Sequence, residues 1–167
     1  MAMLAAEKEI EHIGETAGAA DHDHDMIHDL GKRLDLILSV DGVGLRTAVA
    51  ILVRMPEIGR VTREQAAALV GLAPYDKDSA DYVGQRHIAG GRERLRGNLY
   101  TAALPASFRW NPQLKALYKR LIANGKPHKV VLVACARKLL IYANTVVERG
   151  TPWTKEMPAL ATATRGN

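Results

Sequence analysis

The sequence predicts a mainly α-helical protein, a helical bundle with a tight glycine turn between two helices and a small β element, preceded by an acidic helical segment. Three observations carry this reading. Apolar residues recur at helical spacing in several stretches, residues that start and stop helices bracket those stretches, and one short stretch alone has strand character. With 167 residues, 47% apolar and 25% charged, the chain is ordinary for a soluble globular protein and long enough to bury a core. Its longest uninterrupted apolar run, Val130–Ala136, is far too short to cross a membrane, and no membrane partner is expected. The charged Glu7, Lys8 and Glu9 follow so closely on Met1 that the N-terminus does not read as a signal peptide. A single cysteine, Cys135, excludes an internal disulfide and a cysteine-based zinc site, and fits a reducing cytoplasm.

The charge is unevenly placed. Residues 1–41 hold ten acids and three bases, whereas residues 42–167 hold eight acids and twenty bases. An acidic appendage on a strongly basic body points to a polyanion as partner. The acidic part begins with a charged stretch, Glu7–Ala17, that can form one helix, followed by a polar joint over residues 18–25. Imidazole and carboxylate in Asp21-His-Asp-His-Asp25 are legitimate metal ligands, but no completing ligand stands nearby, so a solvated loop is expected. Ile27, Leu30, Leu34, Ile37 and Leu38 then form one apolar stripe at helical spacing.

Between this helix and the next lies Val40-Asp-Gly-Val-Gly-Leu-Arg46, which resembles the hairpin of helix-hairpin-helix DNA-binding proteins. Gly42 and Gly44 let the backbone turn tightly and approach a phosphate, the following helix N-terminus presents amides to an anion, and Arg46 adds charge. A purely structural helix–helix turn is the competing reading. Thr62 reads as the N-cap of a helix with Glu64 and Gln65 in its first turn, and Gly71 stops it. The stretch Asp81–Ile88 reads as a strand or hairpin arm, with the β element from Tyr82 to Ile88.

The most informative stretch runs from Gly91 to Pro112. Between Gly84 and Lys138 there are twelve bases, and Glu93 is the one acid. Leu95, Leu99, Ala102, Ala103 and Ala106 form the expected buried side of a helix. At about 100° per residue, Arg96 and Ser107 point within about 20° of each other, with Tyr100 about 20° to the other side and Arg92 about 60° from Ser107. Arg96 and Ser107 are then roughly 16 Å apart along the axis, a spacing suited to successive phosphates rather than one. Pro105 is expected to bend or break the helix just before Ser107. A further helix follows over Gln113–Ala123, with Leu114, Leu117, Leu121 and Ile122 inward and Lys115, Lys119 and Arg120 outward. Asn124-Gly125 ends it. After Pro127, Lys129–Arg149 is long and apolar enough to be a core helix, with Arg137 and Lys138 either snorkelling or contacting phosphate and Cys135 a buried small hydrophobe. Gly150-Thr-Pro-Trp153 closes the fold, and residues 154–167 read as a tail.

Three segments together resemble the C-terminal domain of the insertion-sequence transposases of the 110/116/902 group. They are Val40–Ala48, Arg92–Pro112 with its Leu-Arg-x-x-Leu-Tyr and Arg-x-Asn-Pro pieces, and Gly125–Leu140. The resemblance implies a domain at 38–153, with residues 1–37 as the remnant of a coiled-coil linker. It implies a recombinase that pairs this domain with an N-terminal RuvC-like half carrying acidic Mg2+ ligands, so that no cofactor or metal is bound by this chain itself. It further implies DNA as substrate, a structured guide RNA in some members, and a homo-oligomer or partner half that completes the active site. Its serine nucleophile falls on Ser107 by position, although Pro105 could stand in the serine's place, which would leave this copy without one. Tyr100 is the second nucleophile candidate. Arg92, Arg96 and Arg109 would stabilise phosphoryl charge, and Gly42, Gly44, Arg46, Lys115, Lys119, Lys126 and Lys129 would join them in binding nucleic acid. The acids of residues 1–41 show no strand pattern that would rebuild the RuvC-like half, so the expected protein is a truncated or split transposase, inactive alone. A non-catalytic helix-hairpin-helix binding module and a protein-interaction remnant are the competing readings.

Overall fold

The computed structural model describes residues 25–73, 78–79, 82–83 and 92–154. The stretches Glu7–Ala17 and Asp21–His24, the strand reading beyond Val83 and the tail after Thr154 lie outside the described residues. The chain divides into two compact units, Met1–Arg33 and Leu34–Asn167. Helix α1 covers residues 25–38, and in its first turns Asp29 lies 4.0 Å from Arg33 as an i,i+4 pair. The sequence stripe on this helix is only partly buried. Ile37 is fully buried and Leu34 and Leu38 pack on the core, whereas Ile27 and Leu30 are exposed.

The second unit is a helical bundle built on one long helix. Helices α2 (Leu45–Arg54), α3 (Arg63–Val70), α4 (Glu93–Pro105), α5 (Pro112–Ala123) and α6 (His128–Arg149) follow in order. A two-residue antiparallel ladder, Asp78–Ser79 with Tyr82–Val83, is the β element among the described residues. Helices α3, α4 and α5 all pack against α6, and α2 packs on α4. By length and composition α6 could cross a membrane, yet 67% of its apolar window is buried, and it acts as the central core helix. Leu132, Cys135, Ala136, Leu139, Leu140 and Ala143 on α6 are fully buried, as are Leu95, Leu99 and Ala103 on α4. Each such leucine contributes about 1.5–3 kcal/mol relative to exposure.

Local chemistry sets the helix ends. Thr62 accepts from the Gln65 amide, and the Gln65 side chain accepts from the Thr62 amide, a reciprocal cap that satisfies two otherwise orphaned donors. Gly71 and Gly150 close α3 and α6 in the left-handed conformation that other residues adopt only under strain. Asn124 and Gly125 end α5. On α5 Leu114 is buried and Leu117 and Leu121 pack on the core, but Ile122 is 39% exposed and does not point inward as the sequence suggests.

Pro105 does not break the chain out of the helix. Instead α4 passes into a π-helical turn, Ala106–Trp110, closed by the Asn111 amide donating to the Ala106 carbonyl at 3.0 Å. This i→i+5 closure takes one more residue than an α turn. Asn111 then stops the turn. It is 1% exposed, its Oδ1 accepts from the Leu114 amide to cap α5, and its Nδ2 donates to the Asp41 carbonyl at 3.0 Å. Pro112 follows at the first helical position, where its missing N–H costs nothing.

That last bond joins the π turn to the glycine turn between α1 and α2. Gly42 has φ +98°, and a Cβ there would lie 2.4 Å from Ala106 Cβ. The space beside Gly42 is therefore taken by Ala106, and the missing side chain is what lets the two turns meet. Gly44 differs, as the extended N-cap of α2 with open space around it. Gly42→Ala should accordingly lose about 3 kcal/mol of unfolding free energy, from backbone strain plus overpacking, while Gly44→Ala loses less than about 1 kcal/mol. Urea titrations of the two variants measure the contrast.

Candidate nucleic-acid interface

The helix edge expected from the sequence does not form a single site. Arg92, half-buried, turns away to meet Glu57 in a two-point ion pair at 2.7 and 3.0 Å. Hydrogen bonding to this guanidinium holds the Glu57 carboxyl below its ordinary 4.5, and the carboxylate raises Arg92 in turn. Arg96 reaches 3.5 Å to the Val70 carbonyl at the C-terminus of α3, a favourable place for a cation. Tyr100 is half-buried. Ser107 is 1% exposed and donates its hydroxyl to the Ala103 carbonyl at 2.7 Å, the back-bond typical of a helical serine. Burial pushes the Cys135 thiol above its ordinary value, an effect that Ser107 offsets in part. These four residues thus serve three separate internal contacts and one half-buried position, so the edge common to Arg92, Arg96, Tyr100 and Ser107 is a reading the structure corrects.

Exposed cations gather elsewhere, on two stretches of the second unit. One is an open groove between α2 and α4, lined by Arg46, Val49, Val53, Arg54, Arg94 and Asn98, with a volume of about 470 Å³. Arg46, Arg54 and Arg94 are all exposed, and Glu93 lies beside Arg54 and Arg94 in the adjoining part of the surface. Arg54 and Arg94 do not stand out in the sequence, although the helical recurrence of positions 46, 50, 53 and 54 is legible on α2. The second stretch is the π turn with α5, where Arg109, Lys115 and Lys119 are exposed, followed by Lys126 and Lys129 at the α5–α6 connection. From Arg94 to Val147 the chain contains no Asp or Glu at all. A surface of this kind raises the local concentration of an anionic partner and steers its approach.

The two cations in the middle of α6 have different settings from these. Lys138 sits over the Tyr142 ring at 5.2 Å, and burial, Arg63 and Arg120 lower its pKa. Arg137 beside it is half-buried. Tyr142 in turn donates to Gln113 Oε1 at 2.6 Å and packs on Trp153 at 4.2 Å. Burial pushes its phenol up to about 12, so it remains a donor throughout the physiological range. No group of three His, Cys, Asp or Glu side chains converges among the described residues, so no metal-ligating cluster is available there.

The geometry is that of a small helical domain whose motif segments interlock and whose outer face is cationic. The chain belongs to the IS116/IS110/IS902 transposase family, whose family model matches residues 34–119. It is similar to the pilin gene-inverting protein of Moraxella bovis, at 27% identity over 132 residues, covering 77% of this chain and 41% of that protein. The Moraxella lacunata pilin gene-inverting protein gives the same identity and coverage. A 43.6 kDa protein of insertion element IS110 from Streptomyces coelicolor is 30% identical over 126 residues, 74% of this chain and 31% of that one. The chain thus spans less than half the length of the curated relatives it matches.

The Arg92–Glu57 pair has a signed pH consequence. A carboxyl whose folded pKa is lowered adds stability above its ordinary 4.5, and that stability is lost as pH falls through the lower folded value. Glu57→Gln should therefore be less stable than the parent at pH 7, with the gap closing below pH 4.5. Paired urea curves from pH 7 to pH 3 read it directly.

Proposed function

We propose that this chain handles DNA as the C-terminal part of an IS110-family recombinase. The observation that supports the reading most is a coincidence of place. The segments that define the family build the turn-and-helix scaffold, and the exposed arginines and lysines stand on the outer side of the same scaffold. Cations in such an arrangement neutralise successive backbone phosphates and release their counterions, which supplies most of the sequence-independent affinity. The name of the Moraxella relatives supports the inversion of a DNA segment as a reaction within the family's reach.

In the full reaction a serine Oγ attacks a DNA phosphorus, forms a phosphoserine ester and displaces a sugar oxygen, which leaves with a proton. Ser107 is the serine of the motif segment and the proposed nucleophile, with Tyr100 second. In the resting conformation the Ser107 hydroxyl is bonded to the Ala103 carbonyl, so attack requires the π turn to release it. Arg109 stands two residues away to meet phosphoryl charge. Mg2+ would be supplied by a separate RuvC-like half rather than by residues of this chain. A structured guide RNA and a homo-oligomeric assembly complete the reading.

A non-catalytic nucleic-acid-binding module is the second reading, and the buried, back-bonded Ser107 favours it. The two diverge on a covalent adduct. With the RuvC-like half of a relative supplied, the first reading expects a protein–DNA adduct that Ser107→Ala abolishes and Tyr100→Phe retains. Absence of any adduct supports the binding module instead. Both readings expect duplex binding by the chain alone to weaken steeply with salt. Replacing Arg46, Arg54 and Arg94 together by Ala should lower the log–log salt slope by about one unit for each phosphate that is no longer neutralised. A fluorescence-anisotropy titration at several salt concentrations measures it, and an unchanged slope would remove the groove from the interface.

A further inference from the structure

The π turn Ala106–Trp110 ends in three exposed residues. It carries Phe108, Arg109 and Trp110 consecutively to the surface, with Phe108 at 44% and Trp110 at 61% exposure. Large aromatic rings left in water are costly, and these two stand apart from the buried Tyr142 and Trp153. Phe108 is also held in place. Its ring packs edge-on against Tyr118 at 4.9 Å and 61°, and Tyr118 packs at 5.8 Å on His128, with its hydroxyl 2.7 Å from the His128 Nδ1. The ring is therefore fixed before any partner arrives, which lowers the ordering cost of binding.

The charge around these rings selects the partner. Arg109 lies between them, Lys115 and Lys119 flank Tyr118 on α5, and no acidic residue occurs from Arg94 to Val147. We infer that this face binds an unpaired stretch of nucleic acid, with bases stacked on Trp110 and Phe108 and phosphates held by Arg109, Lys115 and Lys119. The inference rests on the polyanion reading above and sharpens it to a strand state. A duplex keeps the faces of its bases stacked inside, so an aromatic side chain on a surface turn meets only their edges and the backbone. An unpaired base offers its whole π-face, whatever its identity. The site is therefore tolerant of sequence and selective for loops, bulges and melted segments.

The test uses the full chain and two probes of the same sequence, a 20-nucleotide single strand and its duplex. Trp110→Ala is surface-exposed and should fold normally, with Phe108→Leu as the milder companion. Trp110→Ala should weaken single-strand binding roughly tenfold, the scale of one missing base stack, while duplex affinity and both salt slopes stay the same. Intrinsic tryptophan fluorescence of the parent should be quenched by the single strand and much less by the duplex, and the quench should vanish in Trp110→Ala. Equal weakening of both probes, or of neither, overturns the inference and leaves the polyanion reading standing. Failure of both probes to bind the parent chain overturns that reading and this one together. Trp110-dependent binding to anionic phospholipid vesicles, with oligonucleotide affinity unaffected, would assign the face to a membrane surface instead.

Discussion

The contact between the glycine turn and the π turn is the constraint on which the second unit depends. Gly42 leaves no room for a side chain because Ala106 fills the space, and Asn111 donates across to the Asp41 carbonyl while capping α5. Two family segments that are distant in sequence are thereby locked at one point. Removing either partner costs more than a hydrogen bond, because the Asn111 side chain is buried and its two bonds go to different elements. Helix α6, which lies beyond the residues that the family model matches, is the element against which α4 and α5 are packed. A second buried amide repeats the device at the other end, where Asn144 on α6 accepts from the Gly59 amide and donates to the Val61 carbonyl.

This scaffold explains why the exposed cations lie where they do. The apolar sides of α4 and α5 are committed to α6, and α2 is committed to α4, so the basic residues of these helices are left on the outside. Arg92 and Arg96 are exceptions because each is close enough to an acceptor of the scaffold to be used by it. Arg46, Arg54, Arg94, Arg109 and the lysines of α5 stay on the exposed side of their helices. The interface is in this sense the remainder after the fold has taken what it needs.

Much of the fold was legible from residue order alone. The Thr62–Gln65 cap, the stops at Gly71, Gly125 and Gly150, the buried side of α4 and the core role of Cys135 all follow from local chemistry and helical period. The side-chain routing was not legible. Glu57 is 35 positions from Arg92, and nothing local to either residue announces their pairing. The placement of Ser107 failed for a different reason. An angle of 100° per residue holds only for an α-helix, whereas the chain enters a π turn at Ala106, where each turn holds an extra residue. Pro105 marked the discontinuity without revealing its form. The same turn put Phe108 and Trp110 outside, where neither the charge count nor the apolar period pointed to them.

The central claim is that the exposed cations of the α2–α4 groove and of the π turn with α5 meet nucleic acid. Chemical acetylation of lysines, read by mass spectrometry with and without bound oligonucleotide, tests it most directly. The account predicts protection of Lys115 and Lys119 together with Lys126 and Lys129, and no change at Lys32 on α1 or at Lys138, which is engaged with Tyr142. Protection spread evenly over all lysines, or centred on Lys32, would contradict it.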